Sequence, residues 1–512
     1  MTTTKPRRTG GRAARRALRA APLETAKRPV QGGLSGGTLQ VLSRPDLEAI
    51  HRAALHALEH IGLADAPRSG IDAMCAAGAR LGDDARLRFP AALIEDMLAR
   101  PRKDLVLHGR DRCNDLEPGG QRVYYGTGGA AVHVVDVEAG TYRESTAQDL
   151  QDAARIADTL DNIHFFQRPM VARDIIDNFE MDLNTVYACC SGTTKHIGTS
   201  ISEPGFAPGI VSFLHMVAGS EDKWRARPFV SCSNCFVVPP MKFATESCET
   251  LEYCVRAGMP VLLLSAGQAG ATAPASLAGA IVQAVAECLA GVFYIDAISP
   301  GHPFIFGTWP FVSDLRTGAM SGGSGEQALL NAGCAQMHQF YGFPGSAAAG
   351  FSDAKLPDMQ AGWEQATSAV MAGLAGLNMV YEAAGMHASL LGFCHESLIL
   401  ADDMIGQTLR CVRGIEVNDE TLALDALAEV CLHGPGHYLG QAQTLELMET
   451  EYVYPQFADR SSPREWDENG RPDLIARASL RKRKILAEPS AAQFDPALDG
   501  ALRDRFPIRL PP

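Results

Sequence analysis

From about residue 146 the chain alternates two patterns. Short apolar runs fall at residues 163–166, 196–201, 229–232, 261–264, 304–306, 346–349 and 379–382. Each reads as a buried strand, because a brief continuous apolar run between turn residues suits a strand covered on both faces. Between them lie stretches of helical character, such as 275–289 and 326–341. Seven alternations are legible, and a fainter eighth strand is expected at 390–393. Eight β-α units make a barrel, although alternation alone also permits an open, doubly wound sheet.

The region before residue 146 is patterned differently. Leu47, Ile50, Leu55, Leu58 and Ile61 form one stripe at helical spacing, with Asp46 placed to cap the helix. A further helix is expected at 91–98 and a strand at 105–108. Residues 123–137 and 140–144 read as a β-hairpin turning at Glu138-Ala139-Gly140. The expected organisation is therefore a basic tail and Gly-rich linker (1–37), an N-terminal α+β subregion (38–145), the α/β body (146–440) and a C-terminal extension (441–512).

Composition narrows the class. The chain has 512 residues, 46% of them hydrophobic and 21% charged, in the range of globular proteins. No uninterrupted apolar stretch reaches the length of a membrane span. The net charge of −13 argues against a nucleic-acid partner. Residues 1–28 run the other way, with nine Lys or Arg against the single acid Glu24, and read as a disordered basic tail. A transit peptide shares that composition. Thirteen cysteines, many in apolar helical patterns, suit a reducing cytoplasm rather than a disulfide framework.

The densest chemistry follows the run at 343–349, in Gly350-Phe351-Ser352-Asp353-Ala354-Lys355-Leu356-Pro357-Asp358-Met359-Gln360-Ala361-Gly362-Trp363-Glu364. This loop lies where a strand ends and a helix begins, the end of a parallel sheet at which ligands bind. Ser352 to Glu364 resembles the signature of the trimethylamine methyltransferase family at every fixed position. Agreement extends to Gly109-Arg110-Asp111, Ser313-Asp314-Leu315-Arg316-Thr317-Gly318, Gln339-Phe340-Tyr341-Gly342-Phe343-Pro344 and Val417-Asn418-Asp419-Glu420-Thr421-Leu422-Ala423. The resemblance spans roughly residues 38 to 500 and implies a TIM (β/α)8 barrel. It also implies methyl transfer to cob(I)alamin carried by a separate corrinoid protein, and a homo-oligomer.

In the founding trimethylamine enzymes of that family, pyrrolysine precedes the Ser-Asp-Ala-Lys run. Here the residue is Phe351. A phenyl ring cannot offer the electrophilic imine of pyrrolysine, but its π face can meet a cation. Members without pyrrolysine are associated with quaternary amines, so glycine betaine is the expected methyl donor. A different methylated amine, or a quaternary-amine-binding paralogue without methyl transfer, is the alternative. Filling of vacated space is the plainer account of Phe351.

Tyr124, Trp309, Phe311 and Phe351 are expected to form a cage for the cation, with Arg316, His395 or Lys355 meeting a substrate carboxylate. Asp353, Asp358, Gln360 and Glu287 join Phe351 as candidates for the reacting centre. A quaternary ammonium departs as a neutral amine, so the chemistry needs positioning and dryness rather than a general acid. No metal is expected: Cys232-x-x-Cys235 and the His433/His437 pair do not make a Cys/His cluster at ligand spacing, and zinc would help a weak, neutral leaving group far more than an ammonium.

Overall fold

The computed structural model describes residues 27–100, 104–434 and 436–511. Its main sheet has nine strands: β1 (Leu34–Ser35), β2 (Arg122–Tyr125), β3 (Phe165–Gln167), β4 (His196–Thr199), β5 (Val230–Asn234), β6 (Val261–Ser265), β7 (Phe304–Thr308), β8 (Gly345–Ala348) and β9 (Met379–Tyr381). Their spatial order is β1-β2-β9-β8-β7-β6-β5-β4-β3. All neighbours pair parallel except β1, which runs antiparallel to β2.

After each strand from β2 to β9 comes a helix. In chain order these are α1 (Ala147–Asp158), α2 (Asn178–Gly192), α3 (Ala207–Ala218), α4 (Thr245–Arg256), α5 (Leu277–Ile298), α6 (Gly325–Tyr341), α7 (Met359–Ala375) and α8 (His395–Arg413). The sheet curls until β2 and β3 meet, where one parallel bridge joins Gly126 to Phe165. β1 pairs with Arg122 and Val123 on that seam, so no ladder forms between β2 and β3. The expected closed barrel is thus a curled, mixed α/β sheet of nine strands with a seam of one bridge.

Two strand assignments change. The eighth parallel strand is β2, which the sequence pattern assigned to the N-terminal hairpin; Tyr124 and Tyr125 instead pair with Met379 and Val380. The hairpin itself is shorter, His133–Asp136 with Thr141–Glu144, and pairs with Gly392–Phe393 in a separate four-stranded sheet. The run at 390–393 therefore lies outside the main sheet. Short runs with a few apolar residues suit either sheet, and long-range pairing decides.

Helix entry follows local chemistry. Thr146 caps α1 in a reciprocal box with Asp149, and Asp358 caps α7. At Arg44–His56 the cap is Ser43, with Asp46 at the third helical position rather than at the cap. α5 has the length and hydropathy of a membrane-crossing helix, yet it is buried inside the protein and packs against β6 and β7.

One compact unit comprises Gly32–Gly414 with Pro455–Pro512. Within it the Gly-rich segment is held as β1, and the C-terminal helix Leu474–Ala487 is tied to α8 by the Lys482–Glu396 ion pair. Ile415–Tyr454 belongs to a second unit, in which helices Leu424–Ala428 and Ala442–Thr450 leave most of their apolar side chains exposed. The basic residues before Lys27 lie outside the described residues.

Candidate functional site

At the carboxyl end of β8, Gly350 turns the chain with φ +84°; a Cβ there would lie 2.9 Å from the Cα of Ala383. Phe351 follows, fully buried, with its ring in the space left by the missing side chain of Gly322. The acids beyond it are engaged in holding the loop. Glu364 accepts from Ser352 Oγ (2.6 Å), the N–H of Asp353 (2.9 Å) and Gln360 Nε2 (2.8 Å). Asp353 accepts from the N–H groups of Gly322 (2.9 Å) and Gly323 (3.0 Å) and from Ser389 Oγ (2.7 Å), joining three loops. Asp358 caps α7 by accepting from the N–H of Ala361. Lys355 is exposed and donates to the carbonyl of Asp353.

Three of the four expected cage aromatics come together. Phe351 meets Phe311 edge-on at 6.2 Å between ring centres, and Phe311 meets Trp309 at 6.5 Å. Trp309 is anchored by its indole N–H, which donates to Ser346 Oγ on β8, and lies 5.2 Å from Tyr381. Tyr381 in turn packs 4.6 Å from Phe165 on β3. Because Tyr381 reaches both Trp309, just past β7, and Phe165 on β3, its ring points into the hollow of the curled sheet.

The other expected ligand residues lie elsewhere. Tyr124 pairs in register with Met379, three residues or about 10 Å of strand below Glu382. Its ring packs edge-on against His164 and under Gly33, at the amino end of the strands. Arg316 is exposed and held by both oxygens of Asp314. His395 opens α8, where its Nε2 meets the carbonyl of Asp149, and lines a separate cavity with Arg143, Glu396 and Lys482. Arg316 and His395 both follow a strand at the carboxyl end; what local sequence could not give is the partner that each meets there.

Glu287 is buried in α5, where it accepts from the N–H of Met241 (2.7 Å), Ser265 Oγ (2.5 Å) and Gln283 Nε2 (3.2 Å). Burial raises its pKa, and these hydrogen bonds oppose the rise. It thereby fixes the end of β6 and the loop at Met241 rather than facing the hollow.

Several residues at the carboxyl ends escaped the sequence reading. Glu382 directly follows β9 and Arg168 directly follows β3. Arg168 donates from Nε (3.0 Å) and Nη2 (2.5 Å) to Ser200 Oγ, and burial lowers its pKa. Cys235, just past β5, is solvent-accessible, yet burial raises its thiol pKa. The signal available was position: each is the first residue after a strand, at or just beyond the end of an apolar run. Among the described residues no group of three His, Cys, Asp or Glu forms a metal site, and Cys232 lies against Cys254. All thirteen cysteines are free thiols.

Comparison with known proteins adds independent information. Residues 8–509 match the model of the trimethylamine methyltransferase family. The chain is 30% identical over 453 residues to a trimethylamine methyltransferase of Desulfitobacterium hafniense, covering 88% of this chain and 90% of the relative. It is 28% identical over 465 residues to a glycine betaine methyltransferase of the same species, covering 90% and 95%. The crystal structure of a monomethylamine methyltransferase from Methanosarcina barkeri aligns over 88% of this chain and 89% of that chain, at 11% identity and a TM-score of 0.48.

Proposed function

The chain belongs to the trimethylamine methyltransferase family and is a methyltransferase, and from that premise we propose that its methyl donor is a quaternary amine, glycine betaine first. The methyl acceptor in this reading is cob(I)alamin, which supplies the nucleophile from a separate corrinoid protein. The observation that carries the reading is Phe351, which stands where the founding enzymes have pyrrolysine and lies in line with Phe311, Trp309 and Tyr381. Aromatic faces hold a trimethylammonium head without hydrogen bonds, each contact contributing about 0.5–2 kcal/mol.

Each residue then has a defined task. Phe311, Trp309 and Phe351 bind the head and exclude water, which turns a two-body collision into a positioned displacement. The amine leaves without charge, so no residue need donate a proton to it. Glu364 and Asp353 keep Phe351 in place by fastening its loop to Ser352, Gln360, Gly322, Gly323 and Ser389. Arg168, at the mouth of β3, is the cation available for a carboxylate tail; it replaces Arg316, His395 and Lys355 in that role.

The test uses purified protein, its cognate corrinoid protein held reduced, and a panel of amines, following the absorbance of the methylated corrinoid. Conversion with glycine betaine, release of dimethylglycine and no conversion with trimethylamine is the expected result. Turnover of another quaternary amine keeps the chemistry and changes the tail. Turnover of trimethylamine with inert quaternary amines would overturn the reading of Phe351. Binding of a quaternary amine without transfer would overturn the assignment of a quaternary amine as methyl donor.

A further inference from the structure

Glu382 is the anomalous residue of the sheet's carboxyl end. It follows β9 in the left-handed conformation, φ +63°, which a non-glycine residue adopts only under constraint. The residue is 3% exposed, and its carboxyl group makes no hydrogen bond or ion pair among the described residues. Its Oε2 is both buried and unpartnered. Buried polar groups are nearly always paired, so an orphaned carboxyl calls for an external partner.

Geometry shows where the group is aimed. Strand alternation would turn the residue after Tyr381 away from the hollow, but the left-handed backbone breaks the alternation. Gly128, beyond β2, makes room for it, since a Cβ there would lie 2.9 Å from the Glu382 Cγ. Cys235 sits beyond β5, far round the sheet order from β9, and its thiol pKa is raised by burial first and, to a smaller degree, by the charge of Glu382. The two side chains therefore lie within electrostatic reach of each other at the carboxyl end of the sheet. The immediate neighbour of Glu382 in sequence is Tyr381, the inner end of the aromatic row.

We infer that Glu382 is the counter-ion of the substrate's ammonium head, completing on one side the pocket that Trp309, Phe311 and Phe351 form on the other. The inference rests on the proposed quaternary-amine chemistry and adds an anionic residue to it. A tetra-alkylammonium has no N–H, so it satisfies a carboxylate by charge alone and needs no directed hydrogen bond. Burial lifts the Glu382 pKa to about 8, with no charged side chain contributing. Arg168 acts on Cys235 but is not among the causes at Glu382. Binding at pH 7 then converts neutral Glu382 to carboxylate, and its proton passes to solvent as the cation arrives. Transfer leaves a neutral amine beside an anion, which takes a proton back and favours product release. An interaction with the ground-state cation acts on affinity more than on rate.

The experiment is calorimetry of glycine betaine binding at pH 7 in two buffers of different ionisation enthalpy, with kcat and KM measured alongside. Wild-type protein is expected to release about 0.9 proton per ligand, the share of Glu382 still protonated one pH unit below its pKa. Glu382→Gln is expected to abolish that release and weaken binding roughly 10- to 100-fold, with KM rising more than kcat falls. Glu382→Asp keeps the charge, and proton release should persist with weaker binding, a result that also serves if the glutamine variant does not fold. Unchanged affinity and proton count in Glu382→Gln, or loss of release in Glu382→Asp, would overturn the inference while leaving the quaternary-amine reading intact. Wild-type protein that neither binds nor turns over any quaternary amine would bring down both.

Discussion

A buried carboxyl with no partner has a measurable effect on folding, and Glu382→Gln isolates it. The substitution preserves shape and removes the ionisable proton. Glu382 has its pKa raised from 4.5 to about 8 by burial. Because the folded value lies above the unfolded one, its stability contribution is full below pH 4.5 and is lost as pH rises through 8. Between 4.5 and about 8, at about 1.4 kcal/mol per pH unit, the loss amounts to about 3 kcal/mol at pH 7 and about 5 kcal/mol above pH 8. A neutral amide carries no such dependence. Urea unfolding of both ligand-free proteins from pH 5 to 9 is the assay. The variants should nearly coincide at pH 5, with Glu382→Gln more stable by about 3 kcal/mol at pH 7 and the gap widening above it. A gap that stays constant with pH would mean that Glu382 is already ionised and paired in the empty protein, and the reasoning would fail.

Three further outcomes follow from the same geometry. Gly322→Ala places a Cβ 1.8 Å from Phe351 Cε2, so the ring must move; overpacking should destabilise by about 1–3 kcal/mol, and KM for the quaternary amine should rise, whereas unchanged kinetics would remove Phe351 from the site. Phe351→Leu keeps an apolar side chain without a π face; a rise in KM of roughly tenfold is expected from one lost cation–π contact, with a melting temperature close to wild type. Glu364→Ala frees Ser352 Oγ, the Asp353 N–H and Gln360 together; a loss of about 2–4 kcal/mol in denaturant unfolding and a collapse of methyl transfer are expected, and a fully active variant would show that the loop holds its shape without this carboxylate.

The sequence by itself determined the elements whose cause is local. Seven of the parallel strands and their helices were legible because a buried strand must be apolar and short, and a helix must repeat its apolar face. The Ser-Asp-Ala-Lys run announced both the family and the strand-end loop. Phe351, Phe311 and Trp309 were legible as a group because all three follow apolar runs, and parallel strands bring their carboxyl ends together. Tertiary structure alone decided the rest. Whether 122–125 or 390–393 supplies the eighth strand depends on pairing with a partner more than two hundred residues away in either case, and no local pattern records it. The same pairing set Tyr124 level with Met379, the first residue of β9. Arg316 and His395 were polar residues in turns until Asp314 and the Asp149 carbonyl claimed them. Glu382 reads in the sequence as an unremarkable acid ending a strand. Only the fold, by enclosing it opposite Cys235 with no hydrogen-bond partner, makes its charge costly to hold and so available to a cation.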